Sequence, residues 1–388
     1  MHRWLIVALL GAMLVGGTTL DAQDTTGSGR GSGAGRGGRG GRVGQPRQWL
    51  GEMDTVRARV LYVSKDPADL SNCGPNDCEA QTRARVADDS IFAARSKGVL
   101  DFQKVHYKSA VDGLEIPADL FAPIDGRARR HAVLVWVHDG IHGHLRPEMY
   151  WPFIREAVQR GYVVFAPEYR GSTGYGSDFY RKIDYGGKEV DDVLSSIDYL
   201  TALPNVDIEK LGIIGWSHGG FIAAHVLFRG DPRWKAGAAI VPVTNLVFRL
   251  SDHGPAYARD YAAEEGIQGL PFERGCGPQH DRACIDEYLD RSPVFHADNL
   301  NVPMLVQVAT NDCDVFFRED QQMVYTLMAL KPTLAETKIY KDPPPGAEGC
   351  GHTFSRRVNP QTLEREDSPE QIDAWNHTWA FFEKNLKP

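Results

Sequence analysis

Positive charge is in short supply in this 388-residue sequence, where 43 lysines and arginines face 51 aspartates and glutamates, for a net charge of −8. That balance excludes a general affinity for nucleic acid or for an anionic membrane surface. Membrane-spanning apolar runs are missing too. The run Trp4 to Val15 follows the basic His2 and Arg3 and is too short to cross a bilayer comfortably. It reads as the core of a secretory signal over residues 1–22, with the small Ala22 before Gln23, and implies an exported chain with no stable membrane span after cleavage. Leu20 stands where a small residue is preferred, so a retained anchor is the alternative. Cysteine is also sparse: Cys73, Cys78, Cys276, Cys284, Cys313 and Cys350 are the six. Export makes them disulfide candidates. Sequence leaves 15 pairings open, of which two local loops and one long link, taken in chain order, is the simplest.

Apolar residues are nearly absent from 23–47, where Arg30, Arg36, Arg39 and Arg42 are spaced among glycines. Such a segment cannot bury enough surface to order itself and reads as a linker. An RNA-binding tail is the competing reading, disfavoured by export. Residues 48–100 read as an N-terminal helical arm: Asp54 to Tyr62 and Thr82 to Lys97 have helical pattern, separated by the Cys73 to Cys78 loop with its Gly74-Pro75 turn.

From 101 to 388 apolar runs and amphipathic stretches alternate. Strands are expected at Phe102–Lys108, Leu114–Ala122, Ala132–Val137, Tyr162–Ala166, Leu211–Ile214, Ala236–Val241, Val302–Val308 and Thr337–Tyr340. Helices are expected at Glu148–Arg160, Glu189–Leu203, Arg318–Leu330 and Pro369–Asn385. The fold class implied is α/β, a mostly parallel central sheet with helices on both faces. Chemistry in such a sheet lies beyond the carboxyl ends of its strands.

One stretch organises the rest: L-G-I-I-G-W-S-H-G-G-F-I-A-A, Leu211 to Ala224. An apolar strand runs into an apolar helix through Gly215-Trp216-Ser217-His218-Gly219, a G-x-S-x-G pattern. The abrupt reversal strains the central residue, and the flanking glycines let backbone approach closely. Ser217 is thereby presented as a nucleophile, with the His218 N–H at the helix start as an oxyanion donor. A serine nucleophile needs a base and the base an orienting carboxylate. Asp312, in A-T-N-D-C-D-V, and His352, in G-C-G-H-T-F, both fall on strand-exit loops, in the chain order this sheet requires. Asp314 is the rival orienter. A Cys313–Cys350 bridge would tie the two loops together. The loop H-D-G-I-H-G-H after Val137 can supply the second oxyanion donor; its His138, Asp139, His142 and His144 can alternatively be read as a metal site.

Taken together, D-G-L-E-I-P-A-D-L-F-A-P (112–123), P-E-Y-R-G-S-T-G-Y-G (167–176), G-W-S-H-G-G (215–220), N-D-C-D-V (311–315) and the His352 loop resemble the catalytic domain of the prolyl oligopeptidase family. The resemblance spans about Leu100 to Pro388. It implies an α/β-hydrolase fold, a Ser217–Asp312–His352 triad, and no metal or organic cofactor. It implies a peptide or small acyl substrate: a serine-type peptidase cleaving peptide or acyl-amide bonds through an acyl-enzyme, with a carboxylesterase as the alternative. The chain departs from the family's H-G-G-P-H-G loop at Asp139 and Ile141, leaving Gly140 as the second donor. His138 stands where some relatives use a tyrosine hydroxyl. Family peptidases commonly carry an N-terminal β-propeller; about 55 residues outside the linker are too few for one, so exopeptidase specificity does not carry over. The segment Pro242 to Pro293 reads as lid and side-chain pocket, with Phe248, Tyr257, Tyr261 and Phe272 as candidate walls.

Overall fold

Every residue of Ala132 to Val137 is buried, on both faces of the strand it forms, and that double burial sets the architecture. The computed structural model describes residues 72–73, 76–124, 129–249, 252–253, 282–346 and 349–387, all within the unit Val43–Pro388. In chain order the elements are a small antiparallel pair, β1 (Asn72–Cys73) and β2 (Asn76–Asp77), then α1 (Cys78–Ser96), β3 (Asp101–Lys108), β4 (Glu115–Ala122) and β5 (His131–Val137). They continue through α2 (Pro147–Gln159), β6 (Val163–Pro167), α3 (Ser177–Tyr180), α4 (Lys188–Thr201), β7 (Val206–Trp216), α5 (His218–Phe228) and β8 (Trp234–Ile240). The last are α6 (Arg282–Asp290), β9 (Met304–Ala309), α7 (Phe317–Leu330), β10 (Ala335–Tyr340) and α8 (Pro369–Leu386). The expected helix at Asp54 to Tyr62 lies outside the described residues.

Eight strands form one sheet in the order β10-β9-β8-β7-β5-β6-β4-β3. Pairings from β6 through β10 are parallel, and β4 pairs antiparallel with both β6 and β3. Strand alternation divides the apolar residues between two cores. Val133, Val135 and Val137 of β5 join Ile213, Val306 and Val308 on one face, under α4, α5 and α7. Leu134 and Trp136 join Ile214, Trp216 and Leu305 on the other, under α2 and α8. β7 begins earlier than its apolar run suggests: Val206 pairs with His131 across a register shift before Leu211 takes up the ladder.

The second core is held by stacked aromatics. Trp375 of α8 lies 4.4 Å from the Phe153 ring and 6.0 Å from Trp136, and its indole N–H donates to Ser355 O at 2.7 Å. Trp375→Ala is expected to cost about 3–5 kcal/mol of unfolding free energy, because a large cavity opens and collapses poorly; urea unfolding reads it. Helix α8 starts cleanly: Ser368 Oγ accepts from Gln371 N at 3.2 Å, and Pro369 occupies the first turn.

α1 is part of the same body. Its Phe92 is fully buried in the second core. Its Arg85 is buried against Asp119 of β4 and within 3.3 Å of Glu168, just after β6. Burial of the guanidinium is opposed by Glu168 and Asp119, which hold it charged.

Candidate active site

The turn from β7 into α5 is as tight as the glycine pattern implies. Ser217 has φ 53° and ψ −119°, a backbone state that costs a non-glycine residue about 1–3 kcal/mol. A Cβ on Gly215 would lie 2.1 Å from Gly219 O, and one on Gly219 would lie 2.3 Å from Val137 O. No side chain fits at either position. Ser217 N–H donates to Ile240 O at 3.0 Å, fixing the corner to β8.

Asp312 and His352 leave the ends of β9 and β10, on the sheet edge where Ser217 sits at the end of β7. His352 Nδ1 lies 2.8 Å from Asp312 Oδ2, both side chains buried. The other carboxylate oxygen of Asp312 accepts the N–H groups of Asp314 and Val315, each at 2.9 Å. Those bonds lock the carboxylate in place, and it in turn locks the imidazole. Asp314 is placed differently, 3.5 Å from His352 Nε2 and 3.3 Å from Arg249 Nη2. Burial pushes its carboxyl up, but Arg249 and then His352 outweigh this and hold it at about 2. Of the two candidate orienters, Asp312 is therefore the one on Nδ1.

Cys313 and Cys350 are bonded, with Cα atoms 5.9 Å apart, and link the two loops. Gly351 N–H donates to Asn311 O at 3.1 Å beside the bridge. Cys78 is also disulfide-bonded. The side chains of Cys73 and Cys284, and all of Cys276, lie outside the described residues.

The loop after β5 does not gather its polar side chains. His138 stacks on Tyr169 at 4.3 Å and pairs with Ser172 Oγ at 3.0 Å. His142 stacks on Tyr180 and meets Gly171 O at 2.8 Å, while His144 sits between Thr173 Oγ1 and Asp88 Oδ2. Among the described residues no three His, Cys, Asp or Glu side chains are placed to hold a metal ion. Asp139, one of the two residues that depart from the H-G-G-P-H-G loop, is paired with Arg356 at 3.0 Å. Burial raises its carboxyl, but Arg356 and then Arg146 dominate and keep it well below the usual carboxylate range. Its N–H donates to Tyr150 Oη at 2.9 Å, which takes that amide out of contention as an oxyanion donor. Gly140 follows with φ 72°, a value glycine adopts freely, and its carbonyl accepts from Tyr169 Oη at 2.7 Å. His218 opens α5 directly after Ser217.

The Y-R-G-S-T-G-Y-G run explains itself in these contacts. Tyr169 holds the Gly140 loop, and Arg170 is clamped by Asp192 of α4 at 2.8 Å and Asp112 at 2.9 Å. Behind the serine, the buried His218 imidazole lies 3.9 Å from Glu189 Oε1. Burial drives His218 well below its ordinary pKa. Burial, with Asp184 nearby, lifts Glu189 to about 8. Glu189 in the folded protein thus retains a proton that the unfolded chain loses near 4.5, so this group by itself lowers stability as pH rises from about 4.5 to 8, while the depressed His218 acts in the opposite sense up to its ordinary value. Glu189→Gln is expected to flatten that decline, by an amount on the order of a few kcal/mol at pH 8. Unfolding free energies of the two proteins at pH 5 and pH 8 read the difference.

Of the candidate pocket walls, Phe248 is half-buried on a helical turn, 5.9 Å from the Arg318 guanidinium. Tyr257, Tyr261 and Phe272 lie outside the described residues. The sequence reading missed Arg249, Arg356 and Tyr150, none of which stands in a motif.

The profile of the prolyl oligopeptidase family matches residues 152–386, more than half of the chain. The chain belongs to the prolyl oligopeptidase family. It is 26% identical over 283 residues to an uncharacterized peptidase, YuxL, of Bacillus subtilis, covering 71% of this chain and 38% of that one. It is 28% identical over 214 residues to the acylamino-acid-releasing enzyme of Homo sapiens, covering 54% and 28%. Among solved structures, acylaminoacyl peptidase of Pyrococcus horikoshii aligns with TM-score 0.56 and 22% identity, over 76% of this chain and 43% of that one. Dipeptidyl peptidase 4 of Porphyromonas gingivalis aligns with TM-score 0.57 and 21% identity, over 77% and 38%. These two solved structures share the α/β-hydrolase fold described above. The chain spans less than half the length of these relatives.

Proposed function

We propose that this family member is an exported serine hydrolase acting as a peptidase on peptide or acyl-amide bonds. Ser217 attacks the substrate carbonyl while His352 accepts its proton, and His352 then delivers that proton to the leaving amine. Asp312 holds the imidazole tautomer and stabilises the imidazolium. The N–H groups of His218 and Gly140 receive the developing oxyanion. Water, activated by His352, cleaves the acyl-enzyme and regenerates Ser217.

The observation that carries this reading is the buried 2.8 Å contact of His352 Nδ1 with Asp312 Oδ2, at the sheet edge where Ser217 is held in its strained turn. Similarity to an acylamino-acid-releasing enzyme supports an amide substrate. The disulfide between Cys313 and Cys350 supports an oxidising compartment, in keeping with the signal-like start. Among the described residues no helix is long and apolar enough to cross a membrane.

Parallel assays of acylaminoacyl and aminoacyl anilides, internal peptides and short-chain nitrophenyl esters test the substrate class. Amide cleavage blocked by a fluorophosphonate that labels Ser217 is expected. Rapid ester cleavage with no measurable amide cleavage would replace the peptidase by a carboxylesterase.

A further inference from the structure

Arg356 stands four residues beyond His352, and its buried guanidinium lies where three segments of the site meet. Nη1 is 3.0 Å from Asp139 Oδ2 and donates to Tyr150 Oη at 2.7 Å. The guanidinium carbon lies 5.3 Å from the Tyr150 ring centre and 5.6 Å from that of Trp216. Tyr150 closes the group: its hydroxyl donates to Asp139 Oδ1 at 3.0 Å and accepts the Asp139 N–H at 2.9 Å. Asp139 immediately precedes Gly140, and Trp216 immediately precedes Ser217. One side chain on the histidine loop therefore touches the residue before each of two other reacting segments.

The charges give this contact a chemical consequence. Negative charge builds on the substrate oxygen as the acyl carbonyl is attacked, beside the Gly140 and His218 amides. A bare carboxylate on the neighbouring Asp139 would oppose that charge. Arg356 supplies the compensating positive charge and fixes the carboxylate on itself and Tyr150. Cation–π contacts with the Tyr150 and Trp216 rings favour the guanidinium in that place.

We propose that Arg356 is a positioning residue for acyl transfer: by pairing with Asp139 it cancels the carboxylate beside the oxyanion site and ties the Gly140 loop to the Ser217 and His352 segments. This rests on the reading of Ser217, His352 and Gly140 given above. The pair has a signature that a merely structural contact lacks, because damage from losing the cation should be repaired by also removing the anion.

The test is a double-mutant cycle on the full chain with a short-chain nitrophenyl ester, which either hydrolase class turns over. Arg356→Met alone is expected to lower kcat by about 10²-fold, the size of effect seen when an oxyanion contact is lost, with KM little changed. Adding Asp139→Asn should recover about 10-fold or more of that kcat, since the isosteric amide keeps the Tyr150 contacts without the charge. Arg356→Lys should retain more kcat than Arg356→Met, and it serves as the comparison if Arg356→Met does not fold. Circular dichroism establishes folding for each variant. Absence of recovery in a folded Arg356→Met/Asp139→Asn protein, or wild-type kcat in any folded Arg356→Met protein, overturns the proposal. With Arg356→Met unfolded, kcat in folded Arg356→Lys that falls as far as 10²-fold overturns it as well. A fluorophosphonate separates the two levels of inference: no adduct at Ser217 in the wild type sinks the hydrolase reading itself, whereas labelled wild type without recovery sinks the role of Arg356 alone.

Discussion

Ser217→Gly should abolish turnover and at the same time make the protein more stable. Loss of the nucleophile from a triad removes about 10⁶-fold in kcat, leaving only what the oxyanion donors and binding supply. Ser217→Ala should do the same to activity. The two variants part company in stability. Ser217 is held at φ 53°, where any Cβ is crowded and glycine is not. Alanine keeps the Cβ and with it the strain, so Ser217→Ala should not show the gain in stability expected of glycine. Glycine relieves the strain at the cost of a freer unfolded chain, so a net gain of about 1 kcal/mol is expected. Burst-phase titration with a nitrophenyl ester and urea unfolding of the three proteins read both effects. A Ser217→Ala protein that still forms a covalent fluorophosphonate adduct, or turns over within 10-fold of the wild type, would remove Ser217 from the mechanism.

The same corner shows why part of this molecule was legible in its sequence. Gly215 and Gly219 are required by contacts of 2.1 and 2.3 Å that any Cβ would make, so the pattern carries its own geometry. The buried strand β5 was legible because a doubly covered strand must be apolar throughout. Asp312 and His352 were legible by their place on strand exits, whereas the preference for Asp312 over Asp314 came from the family resemblance alone. Two carboxylates in one loop have no periodicity to tell them apart, and in the structure the 2.8 Å and 3.5 Å contacts with the two imidazole nitrogens distinguish them. The first strand turns of β7, Val206 to Lys210, hid because that half of the strand is partly exposed and polar. Arg85 hid for the opposite reason, as one of several charges on a mostly exposed helix, buried through partners far along the chain. Asp139 stood out in the sequence as a departure from the family's loop. Its partner, Arg356, lies more than two hundred residues away, at a distance no local pattern spans.

The bridge between Cys313 and Cys350 carries the second large effect. Cys313→Ser with Cys350→Ser is expected to lower unfolding free energy by up to about 4 kcal/mol, the chain-entropy value for a loop of 37 residues. Turnover should fall as well, by about 10-fold or more, because the bridge lies one residue from Asp312 and two from His352. Neutral hydrogen bonds also join these loops, Gly351 N–H to Asn311 O at 3.1 Å, Asn311 Nδ2 to Pro343 O at 3.0 Å and Asp342 N–H to Thr310 Oγ1 at 2.8 Å, each worth about 1 kcal/mol net. The bridge adds a covalent tie directly beside Asp312 and His352, and an error of about 1 Å between reacting groups can cost on the order of 10²-fold. The loss should therefore appear in kcat more than in KM, since substrate contacts outside these loops persist. Urea unfolding and steady-state kinetics at a temperature well below the melting transition distinguish it from simple unfolding. Unchanged melting temperature together with unchanged kcat would show that strands β9 and β10 position the base and its carboxylate by themselves.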